Sequence, residues 1–125
     1  MNKGKKKVAL VGIPNSGKSS LFNALTGLNQ RVGNFTGVTV ERKSASLALS
    51  SKSSATLIDL PGTYTLYPSS EDEKITCNII KQKDHADHPD VVLCVISAVQ
   101  LKRGIVLASQ LIDLGIPLIL VVNMM

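Results

Sequence analysis

The stretch Gly12-Ile13-Pro14-Asn15-Ser16-Gly17-Lys18-Ser19 constrains this chain more than any other. It reads G-x-x-x-x-G-K-S, follows the apolar run Val8-Ala9-Leu10-Val11 and precedes a segment of helical periodicity. A strand, a glycine-bearing turn and a helix in that order form a phosphate loop. The two glycines let the backbone curl so that several N–H groups point at one anion, and the helix N-terminus adds its dipole. Lys18 is expected to reach the β- and γ-phosphates of a nucleotide, with the Ser19 hydroxyl on Mg²⁺.

The rest of the chain supplies a sheet for such a loop to sit on. Residues 8–11, 91–96 and 118–122 are apolar throughout, without alternation, as in strands covered on both faces. Residues 39–48 and 55–60 read as two more strands, joined by the polar turn Ser50-Ser51-Lys52-Ser53-Ser54. A link that short permits only an antiparallel pair. Helices are expected over 18–26, 70–82 and 101–114. The first carries Leu21, Phe22 and Leu25 on one face, and Gly27 ends it. The second opens on the capping box Ser70-Glu71-Asp72-Glu73, followed by Ile75 and Ile79. The third places Leu101, Ile105, Ala108 and Ile112 on one stripe. The sum is an α/β fold, a mainly parallel sheet with one antiparallel strand.

At 125 residues the chain is one domain or most of one. Its net charge of +5 owes much to Lys3, Lys5, Lys6 and Lys7, a solvated run before the first strand. No aromatic residue is interleaved with those lysines, so no nucleic-acid partner is expected. Two cysteines make no disulfide or metal framework, and Cys94 belongs to an apolar run. No signal peptide precedes the first strand, and no apolar run nears the roughly 18 residues of a membrane span. A cytoplasmic location is expected. His85, Asp87, His88 and Asp90 read as ordinary loop residues, because a two-histidine metal site needs further convergent ligands.

Three more segments sharpen the nucleotide reading. Asp59-Leu60-Pro61-Gly62 closes the strand 55–60, with Asp59 able to hold Mg²⁺ through water and Gly62 to bring its bare N–H to a γ-phosphate. Between this and the phosphate loop lies Val32-Gly33-Asn34-Phe35-Thr36-Gly37-Val38-Thr39-Val40-Glu41, loose and hydroxyl-bearing. Thr39 is favoured over Thr36 as a Mg²⁺ and γ-phosphate ligand, in a loop ordered by triphosphate. Finally, Asn123-Met124-Met125 is three-quarters of N-x-x-D, the guanine-reading motif of GTP-binding proteins.

The stretches "GIPNSGKSSLFNALTG", "VGNFTGVTVERK", "IDLPGTYTL" and "LGIPLILVVNMM" together resemble the N-terminal G domain of the ferrous iron transport protein B family. The resemblance implies a Ras-like P-loop GTPase fold. Residues 1–125 would be a partial G domain without the C-terminal strand, its helices, the helical regulatory domain or the membrane domain. It implies GTP and GDP as ligands, with Mg²⁺ and K⁺. Gly12, Ile13, Pro14, Asn15, Ser16, Gly17, Lys18, Ser19 and Ser20 would form the phosphate loop. Asp59, Gly62 and Asn123 would complete the nucleotide site. Ser19, Thr39 and Asp59 would serve Mg²⁺, and Asn15 would bind K⁺. Lys18, Thr39, Gly62 and Asn15 would carry catalysis. The implied partner is the family's own membrane transport domain, with the G domain on the cytoplasmic side of a bacterial inner membrane.

Two features temper the chemistry. Thr63 stands where Ras-type proteins carry a water-orienting glutamine, and Arg31 is only a weak candidate for an arginine finger. Slow, K⁺-assisted hydrolysis is therefore expected. A nucleotide sensor with negligible hydrolysis, or a related GTPase acting on the ribosome or tRNA, are the alternatives. Ser97 and Lys102 also depart from the family's usual acids. The apolar strand 118–122 invites self-association as a sheet edge.

Overall fold

A computed structural model describes residues 6–27, 30–48, 50, 53–67 and 70–123. Lys3, Lys5, parts of the turn between 50 and 54, and Met124-Met125 of the base motif lie outside the described residues. The elements in order are β1 (Lys6–Gly12), α1 (Lys18–Thr26), β2 (Gln30–Asn34), β3 (Glu41–Ala48), β4 (Ser54–Asp59), α2 (Glu71–Lys81), β5 (Val91–Ser97), a 3-10 turn (Ala98–Gln100), α3 (Leu101–Asp113) and β6 (Leu118–Asn123). They build one six-stranded sheet in the order β2-β3-β4-β1-β5-β6. The pairs β4–β1, β1–β5 and β5–β6 are parallel. Strand β3 runs against both neighbours and is the one antiparallel member.

The apolar runs fill the centre of this sheet, and their alternate residues face two cores. On one face Leu10, Leu57, Ala45 and Val95 pack with Phe22 of α1. On the other, Ala9, Val11, Ile58 and Cys94 pack with Ile79 and Ile80 of α2 and Leu107 and Leu111 of α3. Burying such side chains contributes about 1.5–3 kcal/mol apiece, enough to hold helices that would not persist alone. Among the described residues no helix is long and apolar enough to cross a membrane.

Five expectations change. The loose segment before Thr39 contains β2, an edge strand laddered to β3 from Gln30↔Ala45 to Asn34↔Glu41. Its side chains are mostly exposed, so backbone pairing makes it a strand and no apolar pattern announces it. Strand β3 starts at Glu41, leaving Thr39 and Val40 outside the strand. The α3 stripe is displaced: Gly104, Leu107, Ala108 and Leu111 face the core, while Leu101, Ile105 and Ile112 are exposed. Gly104 lets the helix press on Ile96, where a Cβ would lie 2.5 Å from Ile96 Cγ2. That approach selects the face of a helix whose apolar residues go almost all round. In α1 the buried residues are Phe22 and Thr26, with Leu25 exposed. Strand β6 is outermost, the sheet edge expected for 118–122, but its faces are not covered as the apolar run implied: Ile119, Leu120 and Val122 are each about half exposed.

Candidate nucleotide site

Strand β1 delivers the phosphate loop at its C-terminal end, where its parallel neighbours β4 and β5 also finish. Gly17 has φ 91° and caps α1 in the left-handed region, a conformation that glycine adopts without steric cost. Asn15 also takes a positive φ, 63°, as asparagine tolerates better than most residues. Ser16 is buried, and its Oγ has no hydrogen-bond partner. A buried hydroxyl without a partner is costly unless something fills the loop.

Elements distant in sequence converge on this loop. Asp59, ending β4, lies against the Lys18 ammonium in an ion pair whose side chains are 11% and 13% exposed. Lys18, Ser19, Thr39, Asp59 and Asp72 line one cavity of about 500 Å³. An adjoining cavity is lined by Ile13, Pro14, Asn15, Gly17, Ser20 and Gly62, and again by Lys18, Ser19 and Asp72. Thr36, the rival of Thr39, lies on a different cleft, with Phe35, Val38 and residues of α2. The oxygen set of Ser19, Thr39 and Asp59 suits a hard cation such as Mg²⁺.

The segment after Asp59 is tied to the loop it would report on. Thr63 N donates to Gly12 O (3.0 Å), and a Cβ on Gly62 would stand 3.1 Å from Pro14 N. Thr63 is fully buried, and its hydroxyl donates to Thr65 O (2.6 Å). Ser70 caps α2 as the sequence suggested: its Oγ accepts from Glu73 N at 3.2 Å. Glu73 also accepts from Tyr64 N at 3.3 Å, which anchors this segment to the first turn of α2. At the far side, Asn123 Nδ2 donates to Ser16 O (3.1 Å), joining the base-motif asparagine to the phosphate loop.

Some groups stand apart from this site. Asp90 accepts from Lys7 N (2.8 Å), His85 Nδ1 accepts from Asp87 N (2.9 Å), and His88 Nδ1 lies 2.9 Å from Ile79 O. Ser97 caps the 3-10 turn through Val99 N (3.2 Å). Arg31 lies on β2, away from the phosphate loop and beside a groove with Arg42, Ser44 and Thr56. Sequence reasoning missed Asp72, whose place in the capping box gives no hint that it faces the cavities. It also missed the fork between Arg42 and Asp87, where Arg42 Nη2 donates to Oδ1 (2.8 Å) and Nε to Oδ2 (3.1 Å). This pair holds the Asp87 carboxyl below, and the Arg42 guanidinium above, their ordinary values.

The family model for ferrous iron transport protein B matches residues 6–125. The chain belongs to that family. It is 47% identical over 122 residues to the Fe(2+) transporter FeoB of Salmonella typhimurium, covering 94% of this chain and 15% of the relative. The FeoB of Escherichia coli K12 is 46% identical over the same span. The chain thus spans about 15% of the length of these curated relatives. Among solved structures, the G domain of the T. maritima FeoB iron transporter superposes with a TM-score of 0.86 at 42% identity, over 94% of this chain and 71% of that one. An S. thermophilus NFeoB point mutant bound to GDP superposes with a TM-score of 0.84 at 42% identity, over 96% and 44%. The mixed sheet described above is the GTPase-type fold of the FeoB G domain.

Proposed function

We propose that this chain binds GTP and GDP with Mg²⁺ and hydrolyses GTP slowly, as the G domain of a ferrous iron transporter. One observation carries the reading. Lys18 and Ser19 of the phosphate loop line a single cavity with Thr39 and Asp59, which come from two segments distant in sequence. The GDP-bound structure of the S. thermophilus relative supports the same ligand class.

Phosphoryl transfer needs positioning and charge neutralisation more than a strong base. The phosphate-loop amides from Gly12 to Ser20 would cradle the phosphates. Lys18 would leave Asp59 for the β- and γ-oxygens, freeing the Asp59 carboxylate for a water on Mg²⁺. The Ser19 and Thr39 hydroxyls would complete that side, and the Gly62 N–H would meet the γ-phosphate. When bound, Mg²⁺ would supply positive charge that offsets the charge on the phosphates. The Asn15 amide oxygen would face K⁺, whose charge offsets that developing on the transferring group. Asn123 would support the guanine while fixing Ser16.

Calorimetry with GDP and a non-hydrolysable GTP analogue tests this. Binding of both is expected, lost in Lys18→Ala. Thr39→Ala should spare GDP and weaken the analogue. Unchanged affinity in Lys18→Ala defeats the site. Turnover equal in K⁺ and Na⁺ defeats the role of Asn15.

A second reading, a sensor with negligible hydrolysis, is favoured by Thr63, whose hydroxyl is already committed to Thr65. Single-turnover hydrolysis in K⁺ separates the two. In the longer protein the partner would be a transport domain in the bacterial inner membrane, with this domain in the cytoplasm. The half-exposed residues of β6 support self-association through that edge, which light scattering over a concentration series would detect.

A further inference from the structure

The loop that carries Thr39 is held at three points by the chain's own groups. Phe35 N donates to Val40 O (3.0 Å) and Val38 N to Phe35 O (3.2 Å), which pinches residues 35–40 into a closed turn. The Phe35 ring is 5% exposed and packs in the larger core, so the near end of the turn is anchored. Beyond the turn, Arg42 makes its two-pronged ion pair with Asp87, in the connection between α2 and β5, while Arg42 Nη1 donates to Ser44 Oγ (3.3 Å). Both side chains are largely covered, at 29% and 18% exposure.

Behind the turn lies open space. A cleft of about 250 Å³ runs between Phe35, Thr36 and Val38 on one side and Ile75, His85 and Asp87 on the other. Without a γ-phosphate to hold it, a turn with such a cleft behind it has room to fall back from the cavity. Asp87 lines the cleft and grips Arg42, so the far end of the turn cannot swing without breaking a planar, bidentate pair. Thr39 is three residues from that grip.

We propose that Arg42 and Asp87 are positioning residues for Thr39, and that their pair presets the turn for the triphosphate state by fixing its exit into β3. The inference rests on the GTPase reading of the site. A preset turn spends less ordering entropy when Thr39 closes on its ligands, so the pair favours triphosphate over diphosphate. GDP makes no demand on Thr39 and gains nothing from the pair.

The test is the affinity of this chain for GDP and for a non-hydrolysable GTP analogue, with Mg²⁺, in Asp87→Asn, Arg42→Lys and the swap Arg42→Asp with Asp87→Arg. Asp87→Asn is expected to weaken the analogue by about five-fold, an ordinary coupling, and to leave GDP within about two-fold. Arg42→Lys keeps the charge but not the fork and should behave alike. The swap should recover at least part of the loss. Hydrogen exchange in residues 36–40 with the analogue bound should rise in both single variants, a readout that a general loss of stability would not confine to that segment. Equal weakening of both nucleotides, or no change in either, overturns the positioning role. A wild-type chain that binds neither nucleotide overturns the GTPase reading itself.

Discussion

Lys18 and Asp59, separated by 41 positions, meet as an ion pair at the mouth of the phosphate loop. Each neutralises the other where both a phosphate and a divalent cation would otherwise be needed. Lys18→Ala should therefore cost stability as well as binding, about 1–3 kcal/mol, by leaving a mostly buried carboxylate unpaired. Urea denaturation without nucleotide measures this. Lys18→Ala and Asp59→Asn together should be nearer to wild type in stability than Lys18→Ala alone, because no charge is then stranded.

Gly104→Ala is expected to destabilise the fold by about 1–3 kcal/mol, the usual cost of overpacking. Helix propensity alone argues the reverse, since alanine is the better helix former by about 1 kcal/mol. The added methyl would collide with Ile96 on β5, a central strand that can yield little. Thermal melting of the pair Gly104→Ala and Gly104→Ala with Ile96→Val separates the two terms, the second change relieving part of the loss.

Gly17→Ala should disrupt the site more than the fold. Its φ of 91° penalises any side chain, and a Cβ there would fall 1.9 Å from Asn123 Nδ2. The Asn123–Ser16 hydrogen bond would break, freeing the end of β6 from the phosphate loop. Loss of nucleotide binding in calorimetry, with the far-ultraviolet circular dichroism retained, is the expected result.

Acid should loosen the Arg42–Asp87 tie in a defined direction. Asp87 is held below its ordinary value chiefly by the hydrogen bonds from Arg42. A carboxyl depressed on folding contributes its full stability above its unfolded value, ~3.9, and loses it as pH falls through the folded value. Asp87→Asn should thus flatten part of the decline in stability below about pH 4, with little effect on its shape near neutrality. Denaturation midpoints across that range, in wild type and variant, check it.

Cys94 is fully buried, and burial pushes its thiol up to about 11. Cys77 is 2% exposed and also raised, first by burial. Neither should react with iodoacetamide at neutral pH while the chain is folded, because the thiolate is the nucleophile. Both should be modified in urea, as mass spectrometry would count.

The chain's own residues determined much of this architecture. The phosphate loop, the three helix spans and the parallel apolar runs were legible because each obeys a local rule: glycine and lysine spacing, a capping box, an uninterrupted apolar run. Thr39 was preferred to Thr36 because it was to begin the strand 39–48; strand β3 begins at Glu41 instead, and only the cavity that each threonine lines separates the two. Other features belong to the tertiary structure alone. Strand β2 exists through its ladder to β3, so no residue in Gln30–Asn34 needed to be apolar. The buried stripe of α3 followed the one place where Gly104 allows close approach to Ile96, which helical periodicity cannot rank. Asp72 at the cavities and Asp87 on Arg42 were silent in the sequence. An acid's role depends on which cation or cleft the folded chain brings within a few ångströms, and that distance is a property of packing rather than of order along the chain.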